Sequence, residues 1–69
     1  MTSRLAASIR RATARERLAD ACAGYAASLG ITAPTFTEHR DPMQREVYFV
    51  EQVTEFLTRA TAAVEKRRR

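Results

Sequence analysis

The side chains able to do chemistry in this 69-residue chain are few and scattered. His39 is the single histidine, set between Glu38 and the pair Arg40-Asp41. A general base needs a nucleophile or a substrate pocket within hydrogen-bond reach. No serine or cysteine stands beside it in sequence, and Asp41 already has a use as a helix cap, so His39 reads as an exposed loop residue. Cys22, the single cysteine, shares a helical face with Leu18, Tyr25 and Leu29, which suits a small buried side chain better than a reactive thiol. One cysteine excludes an intrachain disulfide, and no residue group has metal-ligand spacing. Glu51, Glu55 and Glu65 lie on the outer face of a helical pattern with Arg59, and Glu55 to Arg59 is the favourable i,i+4 ion pair. Carboxylates on a solvated face are not an acid–base pair. The expectation is a protein without catalytic residues, metal, cofactor or small-molecule substrate.

The remaining chemistry is that of arginine. Eleven arginines and Lys66 face eight acids, for a formal charge of +4. Guanidinium groups contact phosphate or carboxylate in a bidentate way, which suits a nucleic acid or an acidic partner. Thirteen alanines and no asparagine also fit the coding bias of a GC-rich genome, which would supply arginine without any binding role. Arg4, Arg10, Arg11, Arg15 and Arg17 near the front, Arg40 in the middle, and Lys66, Arg67, Arg68 and Arg69 at the tail are the candidates for phosphate contact. Residues 1–30 carry five arginines against Glu16 and Asp20, a net of +3; residues 31–65 carry a net of −3; residues 66–69 add +4. Such a pattern allows head-to-tail pairing between copies or two basic arms on one phosphate backbone. The tail cations also complement a helix C-terminus.

The elements that position these groups are helical. Asp41-Pro42-Met43-Gln44 is a helix start, with a capping carboxylate, proline at the first helical position and glutamine at the third. Apolar residues then recur at Met43, Val47, Val50, Val53, Leu57, Ala60 and Val64, widened by Phe49, Phe56 and Ala63, the three-and-four spacing of one helical face. Val47-Tyr48-Phe49-Val50 favours strand by composition, but the 3.6 period continues to Val64. Upstream, residues 3–29 are alanine-rich, capped by Thr2 or Ser3 and stopped by Gly30. Their apolar positions change phase: Leu5, Ile9 and Ala12 lie on one face, and Leu18, Cys22, Tyr25 and Leu29 on a nearly opposite one. Thr13-Ala14-Arg15-Glu16 would allow a fresh helix start, yet nothing in the alanine-rich run stops a single helix. Leu18, Cys22, Tyr25 and Leu29 are expected against the second helix, and Leu5 and Ile9 against another copy or a partner.

The stretch from Ala26 to Arg40, with Ala26, Gly30, Ile31 and Phe36 at the key places, resembles a helix-turn-helix of the TetR type. That resemblance covers about fifteen residues and implies a recognition helix capped by Thr32. It would present Thr35, Thr37, His39 and Arg40 to a DNA groove. The pattern departs at Thr37 and Arg40, where aromatic residues are usual, and the family's ligand-binding domain is absent. An ordinary helix C-terminus explains Gly30 equally well.

These observations predict an all-α fold: an antiparallel two-helix hairpin, residues 3–29 and 42–66, with an extended connector into which Ile31 and Phe36 tuck. Residues 1–69 form one small domain with a basic tail at 66–69. A chain this short buries only about 60% of its unfolded surface, so the broad stripe is expected to bring the hairpin into a larger helical bundle. The expected oligomer interface is Phe49, Val50, Val53, Phe56, Leu57, Ala60 and Val64. No apolar run reaches the ~20 residues of a membrane span. Met1 to Arg15 has the composition of a mitochondrial presequence, but a cytoplasmic setting, a bacterial cell or a virion, is the default. Two functions remain: a basic nucleic-acid-binding protein, regulatory in character, or an assembly or adaptor subunit acting through protein contacts.

Overall fold

A computed structural model describes residues 4–68. The chain forms two helices, α1 (Arg4–Leu29) and α2 (Arg45–Arg67), with a 3₁₀ turn at Pro42–Gln44 leading into α2. No strand occurs among the described residues. The expected caps at Thr2 and Ser3 lie outside the described residues.

α1 is one uninterrupted helix. The Thr13 hydroxyl donates back to the Ile9 carbonyl at 3.0 Å instead of starting a new helix. Its end is a Schellman motif: Gly30 N–H donates to the Ala27 carbonyl at 3.1 Å and Ile31 N–H to the Ala26 carbonyl at 3.0 Å. This requires a left-handed residue, and Gly30 has φ +69°. Ile31 then turns back onto the core. At the start of α2, the Asp41 carboxylate accepts from Met43 N–H at 3.0 Å, as the sequence predicts. The first turn is 3₁₀ rather than α, with Gln44 N–H on the Asp41 carbonyl at 2.9 Å.

The two helices run parallel, which corrects the antiparallel hairpin. Arg15, near the middle of α1, pairs with Glu46 at the start of α2. Cys22 and Ala26 share a buried cluster with Phe56 and Ala60. The guanidinium of Arg67, at the end of α2, donates to the carbonyl of Leu29, at the end of α1. Contacts advance together along both helices. The connector makes this possible. Residues 31–41, fully extended, reach about 36 Å, which matches the ~35 Å length of a 23-residue helix. Its ties to α2 run in reverse order: Thr32 with Arg59 (3.1 Å), Thr37 with Gln52 (2.9 Å), and Glu38 with Arg45 (3.3 Å). The chain therefore leaves α1, travels back along α2, and begins α2 beside the middle of α1.

The core is small. Ala26 is 0% exposed and Phe56 2%, with Cys22 and Ala60 also buried. Leu29, Ile31 and Phe36 pack against them, and the Phe36 and Phe49 rings lie 5.1 Å apart. Three of the four buried side chains are small, so the helices approach closely there. For this reason Leu18 and Tyr25, expected in that contact, flank it instead and stay substantially exposed.

Candidate functional site

The helix-turn-helix expectation fails at its second helix. Residues 32–39 are irregular, with no helix for Thr32 to cap. Thr37, expected at a groove, is tied to α2: its N–H donates to Gln52 Oε1 at 2.9 Å and its carbonyl accepts from Gln52 Nε2 at 3.0 Å. One glutamine amide thereby gives the backbone of this extended segment the donor and acceptor that a neighbouring strand would give. The His39 ring meets Tyr48 edge-on at 5.3 Å, and its Nδ1 accepts from Asp41 N–H at 3.0 Å. His39 thus steadies the entry to α2. A crevice of about 240 Å³ beside Pro34 and Thr35, floored by Phe56, holds Glu51, Glu55 and Arg59. Its lining holds the hydroxyls of Thr35 and Tyr48 but no serine, cysteine or histidine. Among the described residues no group of three or more His, Cys, Asp or Glu side chains is placed so that it could hold a metal ion. Burial pushes the Cys22 thiol pKa above its ordinary value, which suppresses the thiolate and its reactivity.

The structure sorts the basic candidates into two groups. Arg15, Arg67 and Arg68 are engaged within the chain, with Glu46, the Leu29 carbonyl and Glu65 at 3.5 Å. Arg4, Arg10, Arg11, Arg17, Arg40 and Lys66 have exposed side chains. Arg69 lies outside the described residues. Because Arg15 stands beside the start of α2, the part of α1 before it projects past α2, carrying Arg4, Arg10 and Arg11 together with exposed Leu5 and Ile9.

The proposed oligomer face divides in the same way. Phe56 and Ala60 are consumed by the intrachain core, and Phe49 stacks on Phe36. The other edge of the stripe stays open: Val50 is 60% exposed and Leu57 50%, with Val53 and Val64 half-buried between them and α1. Across the groove from Leu57 and Val64 stands Tyr25, seven residues from Leu18. This open side brings Tyr25 of α1 and Leu57 and Val64 of α2 to one groove. Sequence reasoning missed that α1 contributes Tyr25 to it.

Reasoning from sequence also missed the column that holds the connector. Arg45, Gln52 and Arg59 are seven residues apart and each ties a connector residue. Arg59 also lies over the Phe56 ring at 5.5 Å. A polar column at heptad spacing along the edge of an apolar stripe was the available signal for a chain segment packed there.

Compared with known proteins, the chain matches no family model, no curated protein and no solved structure. Among the described residues, no helix is long and apolar enough to cross a membrane.

Proposed function

We propose that this chain is a non-enzymatic helical protein that works by assembly. It self-associates through the open α1–α2 face into a larger helical bundle and then presents its remaining surfaces to other macromolecules. The observation that carries this reading is the exposure of Val50 and Leu57 on the edge of a stripe whose other edge forms the core. Burying such side chains contributes about 25 cal/mol per Å² of apolar area. A chain with four buried residues among those described has much to gain from that contribution. Sedimentation equilibrium between about 1 and 100 μM should give two or more chains per particle, given the strength of a desolvated apolar seam. A mass of 7.8 kDa throughout that range would overturn the reading. Leu57→Asp, which sets a carboxylate in the seam, should abolish the association.

A second reading is favoured by one specific observation, the exposure of Arg4, Arg10, Arg11 and Arg17 on α1. Three of these lie on the projecting segment. They suit phosphate contact that is independent of sequence and sensitive to salt. Band shift with duplex and single-stranded DNA at about 50 and 200 mM salt tests it, since electrostatic binding weakens steeply over that range. Binding that is absent at the lower salt leaves assembly through protein contacts as the function. The tail serves this role less than the front, because Arg67 and Arg68 are engaged within the chain.

A further inference from the structure

We propose that the open face is covered by a second copy running in the same direction, related to the first by a half-turn about the long axis of the molecule. This deepens the self-association reading and rests on it.

Tyr25 of α1 and Leu57 and Val64 of α2 line the groove, and exposed Leu18 and Val50, seven residues before Tyr25 and Leu57, continue the same two helical faces as columns. Each advances by seven residues, the period at which aligned helices interdigitate over a long contact. A partner helix seated there should carry the same period, and this chain's own helices do. The levels also agree. Cys22 and Ala26 meet Phe56 and Ala60, so a residue of α1 stands level with the residue about 34 further along on α2. A half-turn about the long axis keeps every level and sets α1 of the second copy over α2 of the first. Leu18 of one copy then faces the gap between Val50 and Val53 of the other, and Tyr25 settles beside Leu57.

Charge selects this orientation over the opposite one. The outer edge of α1 beside its column carries Arg10 and Arg17, each one position before the seven-residue series through Arg11, Leu18 and Tyr25. The outer edge of α2, away from α1, carries Glu51 and Glu65, each one position after Val50 and Val64; Glu51 also reaches the crevice beside Pro34, and Glu65 lies 3.5 Å from Arg68. All four are exposed. In the parallel arrangement arginine edge meets glutamate edge, and Arg17 and Glu51, 34 residues apart, come level across the interface twice per dimer. A half-turn across the long axis would instead stack α1 on α1 and α2 on α2, bringing like edges together. The parallel dimer also brings both projecting basic segments out at one end.

The test keeps orientation separate from self-association. Sedimentation equilibrium first reads the particle mass. A spin label is then attached at Arg4→Cys in a Cys22→Ala background and label separation is measured by pulsed dipolar spectroscopy. The parallel dimer predicts a separation below about 30 Å. At 1.5 Å rise per residue the opposite orientation predicts about 50 Å, close to the 53 Å long axis of one chain. A dimer with the long separation overturns the proposal and leaves self-association standing; a monomer overturns both; a particle of three or more chains overturns the two-fold pairing. Independently, in the otherwise unaltered chain, Arg17→Glu or Glu51→Arg should each weaken the dimer about tenfold, through two lost pairs and two new repulsions. The combined variant should return to within about threefold of the parent. Failure of the combined variant to recover excludes the level Arg17–Glu51 contact and overturns the parallel register.

Discussion

Phe56 and Leu57 are adjacent in sequence and should respond to truncation in opposite ways. Phe56 is 2% exposed and sits between Cys22, Ala26 and Ala60, with the Arg59 guanidinium over its ring. Replacing a buried phenylalanine by alanine costs about 3–5 kcal/mol, and loss of the cation–π contact adds about 0.5 kcal/mol at an exposed site. A chain of this length commands about 3–10 kcal/mol in total, at roughly 0.05–0.15 kcal/mol per residue. Phe56→Ala should therefore remove most or all of the folding free energy of a single chain. Leu57 is half exposed in one chain. Its truncation gives up at most about 1 kcal/mol of burial there, and alanine recovers part of that as a better helix former. Thermal melts followed by circular dichroism at about 5 and 500 μM separate the two cases, since only association makes the midpoint depend on concentration. Phe56→Ala should show no cooperative transition at the lower concentration. Leu57→Ala should keep its helices and lose the dependence on concentration. At ~4–8 °C per kcal/mol for a chain this size, a Phe56→Ala midpoint within about 5 °C of the parent would refute the assignment of the core.

Three further outcomes follow from single contacts. Gln52→Ala removes both hydrogen bonds to the Thr37 backbone and should cost about 1–3 kcal/mol, read most directly as faster exchange of the Thr37 amide; unchanged exchange would show that the connector is held without Gln52. Gly30→Ala places a side chain at φ +69° and should destabilise by about 1 kcal/mol, a loss visible as a lower melting temperature. The Cys22 thiol pKa is raised by burial, so the folded state holds the proton more tightly than the unfolded one. Its contribution to stability is complete below the ordinary thiol pKa of about 8.5 and declines as pH rises above it; a Cys22→Ala variant should lack that decline, and an equal decline in both proteins would assign it elsewhere.

The helices themselves were legible. Asp41, Pro42 and the three-and-four spacing through Val64 mark α2, and the alanine run ending at Gly30 marks α1, because capping and periodicity are local properties. The tucking of Ile31 and Phe36 was legible for a related reason, since two large apolar residues in a polar connector have few places to go. Less was legible in the candidate surface. Periodicity identified a stripe containing Phe56 and Leu57 alike, but a stripe wider than one contact can be shared between two. The division depends on how closely α1 approaches, and the small side chains of Cys22, Ala26 and Ala60 set that distance.

Helix direction was misread for a reason that is physical and not statistical. A hydrophobic period is the same read forwards or backwards, so an apolar face never specifies whether its partner runs with it or against it. Direction is carried by the link. A connector of residues 31–41 is longer than a turn between antiparallel neighbours needs, and that surplus length is what a parallel return requires. The backbone of so long an extended segment must find hydrogen-bond partners wherever it is withdrawn from water. Arg59 and Gln52 supply three of them with their side chains, while Arg45 holds Glu38 by charge. Read together, a long connector and a polar heptad column beside the stripe describe a return path along α2. The same arrangement leaves Arg4, Arg10 and Arg11 on a segment of α1 that projects past the start of α2 and leaves Leu18, Tyr25, Val50 and Leu57 exposed. The assembly proposed for that face would depend on the connector as much as on the helices.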